Sequence, residues 1–277
     1  WSTMSKRENV KSIQNNKSAL RKVLRDEKTP VRTPYQTSVD PESPAPDVSI
    51  VIPVYNEEGL IATSVVDLVD QMQRFDFDYE IVLAENGSSD NTLEIARELE
   101  ARYPQVRAMH NENPDYGMAL RKGILSSRAE FVLCAEIDIC DSEFYVSALS
   151  ILFPREADMV VGSKCLSESK DKRPVFRRLS TFVINFLLRI FLGFKGTDTH
   201  GLKAFNRAKL LETVNECMVN KDLFASEFVI RTERSKFTVV EVPVEIIEKR
   251  APSINLVRRV PHVLKNLAKL VWLIRIK

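Results

Sequence analysis

The chain has 277 residues, 44% of them hydrophobic, enough to bury one large core or two small ones. Lysine and arginine number 40 against 38 aspartates and glutamates, so global charge gives no argument for nucleic acid as a partner. Cys134, Cys140, Cys165 and Cys217 lie in or beside apolar segments without CxxC spacing, which speaks against zinc and for reduced, mostly buried thiols.

Residues 1–46 run from a polar, partly basic stretch into a Pro-, Ser- and Thr-rich one ending PESPAP. Such a composition buries too little apolar surface to fold alone, and the segment reads as a tail and linker. The start, WSTMSKRENVKSIQ, lacks the apolar core of a secretory signal, and no uncharged run of 18 residues follows elsewhere. The expectation is a cytoplasmic protein that does not span a bilayer.

From residue 47 the pattern changes to strand, helix, strand, helix. VSIVIPV is apolar, largely β-branched and too short for a typical helix, as a strand buried on both faces is. Residues 57–75 then carry Leu60, Ile61, Val65, Leu68, Val69 and Met72 at helical spacing. YEIVLA predicts the second strand, and SSDNTLEIARELEAR a helix that begins near Ser and Asp caps. VRAMH, AEFVLCAEI and ADMVVGS predict three more strands, with helices over 117–127 and 142–153 between them. The alternation predicts an α/β fold, a mostly parallel sheet with helices on both faces. No GxGxxG follows the first strand and no P-loop is present, so neither a Rossmann dehydrogenase nor a P-loop enzyme is indicated.

Several motifs, in order, carry a resemblance from about Val48 to Leu256. VSIVIPVYNEE resembles the opening of the inverting, nucleotide-sugar-dependent glycosyltransferases of the GT-A fold, in particular the branch that includes dolichol-phosphate mannose synthases. The resemblance implies one GT-A catalytic domain over 47–256, a Rossmann-like sheet whose strand ends bind the donor. It assigns Pro53, Tyr55 and Glu57 to the nucleotide-sugar site. Glu85 and Asn86 stand in the place of the family's paired aspartates, where an acidic side chain accepts from the donor base. Gly117 matches a glycine lying over the sugar nucleotide, and Arg121, four residues on, is a candidate phosphate contact.

Glu136 and Asp138, in Ala135-Glu136-Ile137-Asp138, take the place of the family's Asp-x-Asp. A carboxylate there holds a divalent cation, Mg2+ or Mn2+, that neutralises the departing diphosphate. Asp138 inherits the more direct metal role, and Glu136 the supporting one. Lys164, Arg178, Asp198, His200, Lys203 and Arg250 match positions of the lipid-phosphate branch in spacing. A polyprenyl phosphate is already ionised near neutral pH, so it requires cations more than a base, which makes Lys164, Arg178, Lys203 and Arg250 the candidate acceptor-phosphate residues. Asp138, Lys203 and Arg250 are the expected catalytic set.

Two stretches point to a membrane surface. From Phe176 to Phe194, Phe176, Leu179, Phe182, Val183, Phe186, Leu187 and Ile190 form a wide apolar face beside a stripe of Arg178, Thr181, Asn185 and Arg189. From Leu256 to Lys277, a basic amphipathic helix over 257–277 sets Leu267, Leu270, Val271 and Ile274 against Arg258, Arg259, Lys265, Lys269, Arg275 and Lys277. Both are expected to be interfacial helices.

The implied function is transfer of a hexose from a GDP- or UDP-sugar to polyprenyl phosphate, at the cytosolic face of a membrane, by a peripherally bound enzyme. Two alternatives stay open. In one, a sugar or small alcohol is the acceptor and His200 or Asp198 the base; in the other, the domain binds nucleotide with little turnover, because Glu85 and Glu136 replace aspartates.

Overall fold

The computed structural model describes residues 44–138, 141–166, 175–218, 223–244, 265 and 267–275; for residues 175–181 it describes the backbone alone. The tail before residue 44, Arg250 and most of the basic segment after residue 244 therefore lie outside the described residues.

The order of elements follows the expected alternation. β1 (Val48–Val54), α1 (Ile61–Met72), β2 (Tyr79–Glu85), α2 (Thr92–Arg102), β3 (Val106–His110), α3 (Tyr116–Ser126), β4 (Phe131–Cys134), α4 (Ser142–Leu152) and β5 (Met159–Ser163) form the first part. α5 (Val175–Leu192), β6 (Lys203–Asn206), α6 (Arg207–Glu216), α7 (Phe224–Arg234) and β7 (Val239–Pro243) complete the sheet, and a helix over residues 267–275, α8, follows. The strands assemble in the order β3-β2-β1-β4-β6-β5-β7, and β6 alone runs against its neighbours.

Strand alternation divides the interior in two. Ile50 and Ile52, Ile81 and Leu83, and Leu133 point to the layer of α1, α2 and α4, where they meet Val65, Leu68, Leu99 and Leu149. Val51, Val82, Val132, Met159 and Phe205 point the other way, to α3, α5, α6, α7 and α8. Each such fully buried side chain is worth about 1.5–3 kcal/mol over its exposed state. On this second face α3 lies tight on the sheet: a Cβ on Gly123 would stand 2.4 Å from Val51 Cγ1.

The sheet order creates the site. The chain builds outward from β1 through β2 to β3, then returns to place β4 on the other side of β1. Loops leaving the carboxyl ends of β1 and β4 run in opposite directions along the sheet, toward β2 and toward β5, and a crevice opens between them. Because β6 is antiparallel, it starts at this edge: Lys203 pairs with Cys134, the last residue of β4. The sequence pattern predicts no strand at this position.

Candidate active site

One wall of the crevice is made by two loops fastened together. Asn56, after β1, takes φ 52, a left-handed conformation that asparagine tolerates better than most residues. This turns its Oδ1 to accept from Ser89 N at 2.8 Å, while Asn56 N donates to Ser88 Oγ at 3.0 Å. Asp90 ties the same loops by accepting from Thr92 N, Thr92 Oγ1 and Glu58 N at 3.0, 2.6 and 3.2 Å. Pro53 is buried within β1, Tyr55 is exposed above it, and Glu57 is half-buried facing the crevice.

At the end of β2, Glu85 does not reach openly into the cleft. Its side chain is fully buried; Oε1 accepts from Ser88 N and Oε2 lies against His110 Nδ1, each at 2.5 Å. Its burial, more than its hydrogen bonds, separates Glu85 from a bound base. Asn86 is also engaged, its Oδ1 accepting from Asp115 N at 2.7 Å and so fixing the turn before α3. Asp115 in turn caps α3 by accepting from Met118 N.

β4 ends in the acidic pair. Tyr116, the first residue of α3, donates its hydroxyl to Glu136 Oε1 at 2.5 Å. Burial pushes the Glu136 carboxyl up; the Tyr116 hydroxyl and the Lys203 charge oppose this, while Asp138 and Glu57 reinforce it, and the net shift is upward. Asp138, two residues on, is half-buried and forms no hydrogen bond through its carboxylate among the described residues.

The basic side lies across the same edge. Lys203 is buried, with Nζ 2.6 Å from Gly201 O. Burial pushes its ammonium downward, opposed by Cys134, Asp198 and Glu136. Cys134 itself is pushed up to about 12 by burial, too far to serve as a nucleophile near neutral pH. Lys164 Nζ stands 3.3 Å from Asp198 Oδ2. Burial raises the Asp198 carboxyl, but Lys164, the His200 backbone and the His200 and Lys203 charges outweigh it and hold it below the usual aspartate range.

This loop is held by a residue the sequence reading passed over. Glu241 on β7 accepts from Thr197 N, Thr197 Oγ1 and Asp198 N at 2.5, 2.8 and 3.1 Å. The signal available was faint: one acid inside an otherwise apolar strand. Gly201 is tighter still, because a Cβ there would stand 1.7 Å from Gly162 O.

Of the other expected site residues, Gly117 lies buried in the first turn of α3. Arg121 turns toward α6 and donates through Nη2 to Asn215 O at 2.8 Å. His200 is exposed, with Nδ1 3.1 Å from Thr199 Oγ1. The side chain of Arg178 and all of Arg250 lie outside the described residues. The two carboxylates fit a hard divalent cation that completes its shell with phosphate oxygens and water. The described residues gather no three His, Cys, Asp or Glu side chains that could hold one unaided.

The profile of glycosyl transferase family 2 matches residues 49–214, more than half of the chain, and covers both acidic turns. The chain belongs to glycosyl transferase family 2. Among its family relatives, the dolichyl-phosphate beta-glucosyltransferase of Homo sapiens is 30% identical over 225 residues, covering 75% of this chain and 69% of that protein. The glycosyltransferase AglD of Haloferax volcanii is 26% identical over 236 residues; the match covers 83% of this chain but only 38% of AglD. The mannosyltransferase of Pyrobaculum calidifontis, solved with GDP-Man and Mn2+, superposes with a TM-score of 0.55 at 21% identity, over 95% of this chain and 71% of that one. That likeness establishes the GT-A fold and nothing finer.

Proposed function

We propose that the chain transfers a hexose, with inversion, from a nucleoside diphosphate sugar to a polyprenyl phosphate. The carrying observation is the opposition, at one sheet edge, of the Glu136–Asp138 pair to the buried Lys203 and the half-buried Lys164. Family 2 membership and the dolichyl-phosphate relatives support the same reading.

The chemistry balances without a base. An oxygen of the acceptor phosphate attacks the anomeric carbon from the face opposite the diphosphate; the bond from that carbon to the diphosphate breaks, and its electron pair leaves with the diphosphate. Lys164 and Lys203 attract the acceptor anion and orient its oxygen, and Asp198 keeps Lys164 in place. Asp138, helped by Glu136, would hold a divalent cation, Mg2+ or Mn2+, which neutralises charge on the leaving group. Asp198 is a poor candidate base for an alcohol acceptor, since its carboxylate is ion-paired and its proton affinity is lowered.

The reading includes peripheral attachment to the cytosolic face of a membrane through α5. No helix among the described residues is long and apolar enough to cross a bilayer. Phe182, Val183, Phe186 and Ile190 of α5 point outward, whereas its polar Asn185 turns inward to donate to Thr197 O. An apolar exterior on a helix joined to the acceptor loop suits an acceptor embedded in lipid. Of the α8 side chains expected to face lipid, Leu267, Leu270 and Ile274 are instead buried in the protein core, while Trp272 is exposed.

The test is a screen of labelled GDP- and UDP-hexoses with polyprenyl phosphate and with soluble sugars or alcohols, using the full chain and its Asp138→Asn variant. Transfer to the polyprenyl phosphate alone, lost in the variant, is expected. Transfer only to soluble acceptors, or nucleotide binding without any turnover, would overturn the proposal.

A further inference from the structure

β3 ends on His110, which stands opposite Glu85 in the register of β2 and β3. The side chain of Glu85 is fully buried and that of His110 is 40% exposed, so the imidazole is the solvent-facing half of the pair, at the carboxyl end of β3. The two ends of the carboxylate are not equivalent. Oε1 takes the backbone N–H of Ser88, a donor that cannot turn away, and Oε2 faces His110 Nδ1.

Burial raises the Glu85 carboxyl, but hydrogen bonds from Ser88, His110 and Gly87 outweigh it and hold it below the ordinary glutamate range. An ionised carboxylate accepts only, so the proton of the neutral imidazole must sit on Nδ1. Nε2 then presents a lone pair, and it makes no hydrogen bond among the described residues.

We propose that His110 Nε2 is the specificity-determining acceptor for the donor's base, with Glu85 the positioning residue that fixes its tautomer. The class recognised is a lactam base, whose ring N–H, N3–H in uracil or N1–H in guanine, points at that lone pair. Cytosine N3 and adenine N1 carry lone pairs instead, and would face Nε2 acceptor to acceptor with the interaction lost on both sides. The inference rests on the nucleoside diphosphate sugar reading above and goes beyond it in naming the residue and the class of base.

The orientation of Ser88 N makes the role of Glu85 separable from simple support. In Glu85→Gln the amide oxygen must stay on Ser88 N, which turns the NH2 group to His110 Nδ1. Nδ1 then accepts, the ring proton moves to Nε2, and the site presents a donor. A residue that served only to hold the fold would not reverse a base preference.

Calorimetric titration of the full chain with UDP, GDP, CDP and ADP, with Mg2+ and at about pH 8, reads this directly. The wild type should bind UDP or GDP at least about tenfold tighter than CDP and ADP, and the UDP and GDP arms identify which lactam base fits. His110→Ala should compress that spread to within about threefold, and Glu85→Gln should shift preference toward CDP or ADP. Thermal melts of both variants establish that they fold. An unchanged spread in a folded His110→Ala, or a folded Glu85→Gln with wild-type preference, would overturn the inference alone. Failure of all four nucleotides to bind the wild type would overturn the donor reading and this inference together.

Discussion

Tyr116 holds Glu136 from across the crevice, its hydroxyl 2.5 Å from Oε1, so the start of α3 sets the position of the acid at the end of β4. Burial pushes the Glu136 carboxyl up, and the Tyr116 hydroxyl is the first of the groups that oppose that shift. Removing the hydroxyl in Tyr116→Phe therefore raises the Glu136 proton affinity further. The ionised form is reached only at higher pH, and the acidic limb of the kcat/KM profile should move to higher pH. Loss of one hydrogen bond to a charged group, about 1.5–3 kcal/mol, corresponds to roughly a tenfold to hundredfold fall in kcat/KM below that limb. A profile superimposable on the wild type would remove Glu136 from the reaction.

Glu80 carries stability rather than chemistry. Its buried carboxylate accepts from Ser49 Oγ and Arg128 N at 2.6 and 2.8 Å, and from Arg107 Nε and Arg128 Nε at 3.0 and 3.3 Å. Burial raises its proton affinity, but these partners outweigh it and the folded value lies below the ordinary one. The native chain thus holds fewer protons than the unfolded chain between the two values. The stability contributed by Glu80 is complete above the ordinary glutamate range and is lost as pH falls through the folded value. Because both arginines are partly solvated, Glu80→Ala should cost about 2–4 kcal/mol near neutral pH and less in acid. Urea denaturation at several pH values measures this, and a cost that does not shrink in acid would contradict it.

Two glycines give opposite expectations. A Cβ on Gly201 would stand 1.7 Å from the carbonyl oxygen of Gly162, backbone against backbone, in the turn that delivers Asp198 and Lys203. Gly201→Ala should cost about 3 kcal/mol or more and abolish transfer with it. Gly59 meets nothing within 4 Å, and Gly59→Ala should lie within about 0.5 kcal/mol of wild type in a thermal melt. Equal melting temperatures for the two variants would mean that the β5–β6 corner yields more easily than its geometry implies.

Much of this was legible in the sequence, for reasons that also explain what was not. β1, β2, β4 and β5 are runs buried on both faces, and α1, α3 and α4 carry apolar stripes, so period and length identify them, while Ser and Asp at its start mark α2. β6 is four residues beginning with lysine and ending with asparagine, and only its partners β4 and β5 make it a strand. α6 buries only Leu210, Thr213 and Val214, too weak a stripe to read. Glu136, Asp138, Lys164 and Lys203 were singled out by motif order. His110 and Tyr116 were not, because their partners lie 25 and 20 residues away and nothing local marks the pairing. Periodicity likewise gave α8 an apolar face without saying what covers it, and the core does.

α5 presents the reverse arrangement and a sharper expectation. Phe182, Phe186 and Ile190 are 64%, 51% and 55% exposed, while Leu188 and Leu192 anchor the helix in the core and Arg189 donates inward to Gly196 O. The outward side chains can therefore be changed without disturbing the packing beneath. If they enter a lipid surface, replacing each by serine forfeits about 1 kcal/mol or more of partial burial. The triple variant Phe182→Ser, Phe186→Ser, Ile190→Ser should then bind vesicles containing anionic lipid about a hundredfold more weakly, at an unchanged melting temperature. Transfer to a short-chain, water-soluble polyprenyl phosphate should persist, since Lys164, Asp198 and Lys203 are untouched. Vesicle flotation compares the two proteins directly; equal flotation would remove the membrane from the account of this face. A wild-type dimer in lipid-free solution that the triple variant dissolves would assign the face to a second copy of the chain.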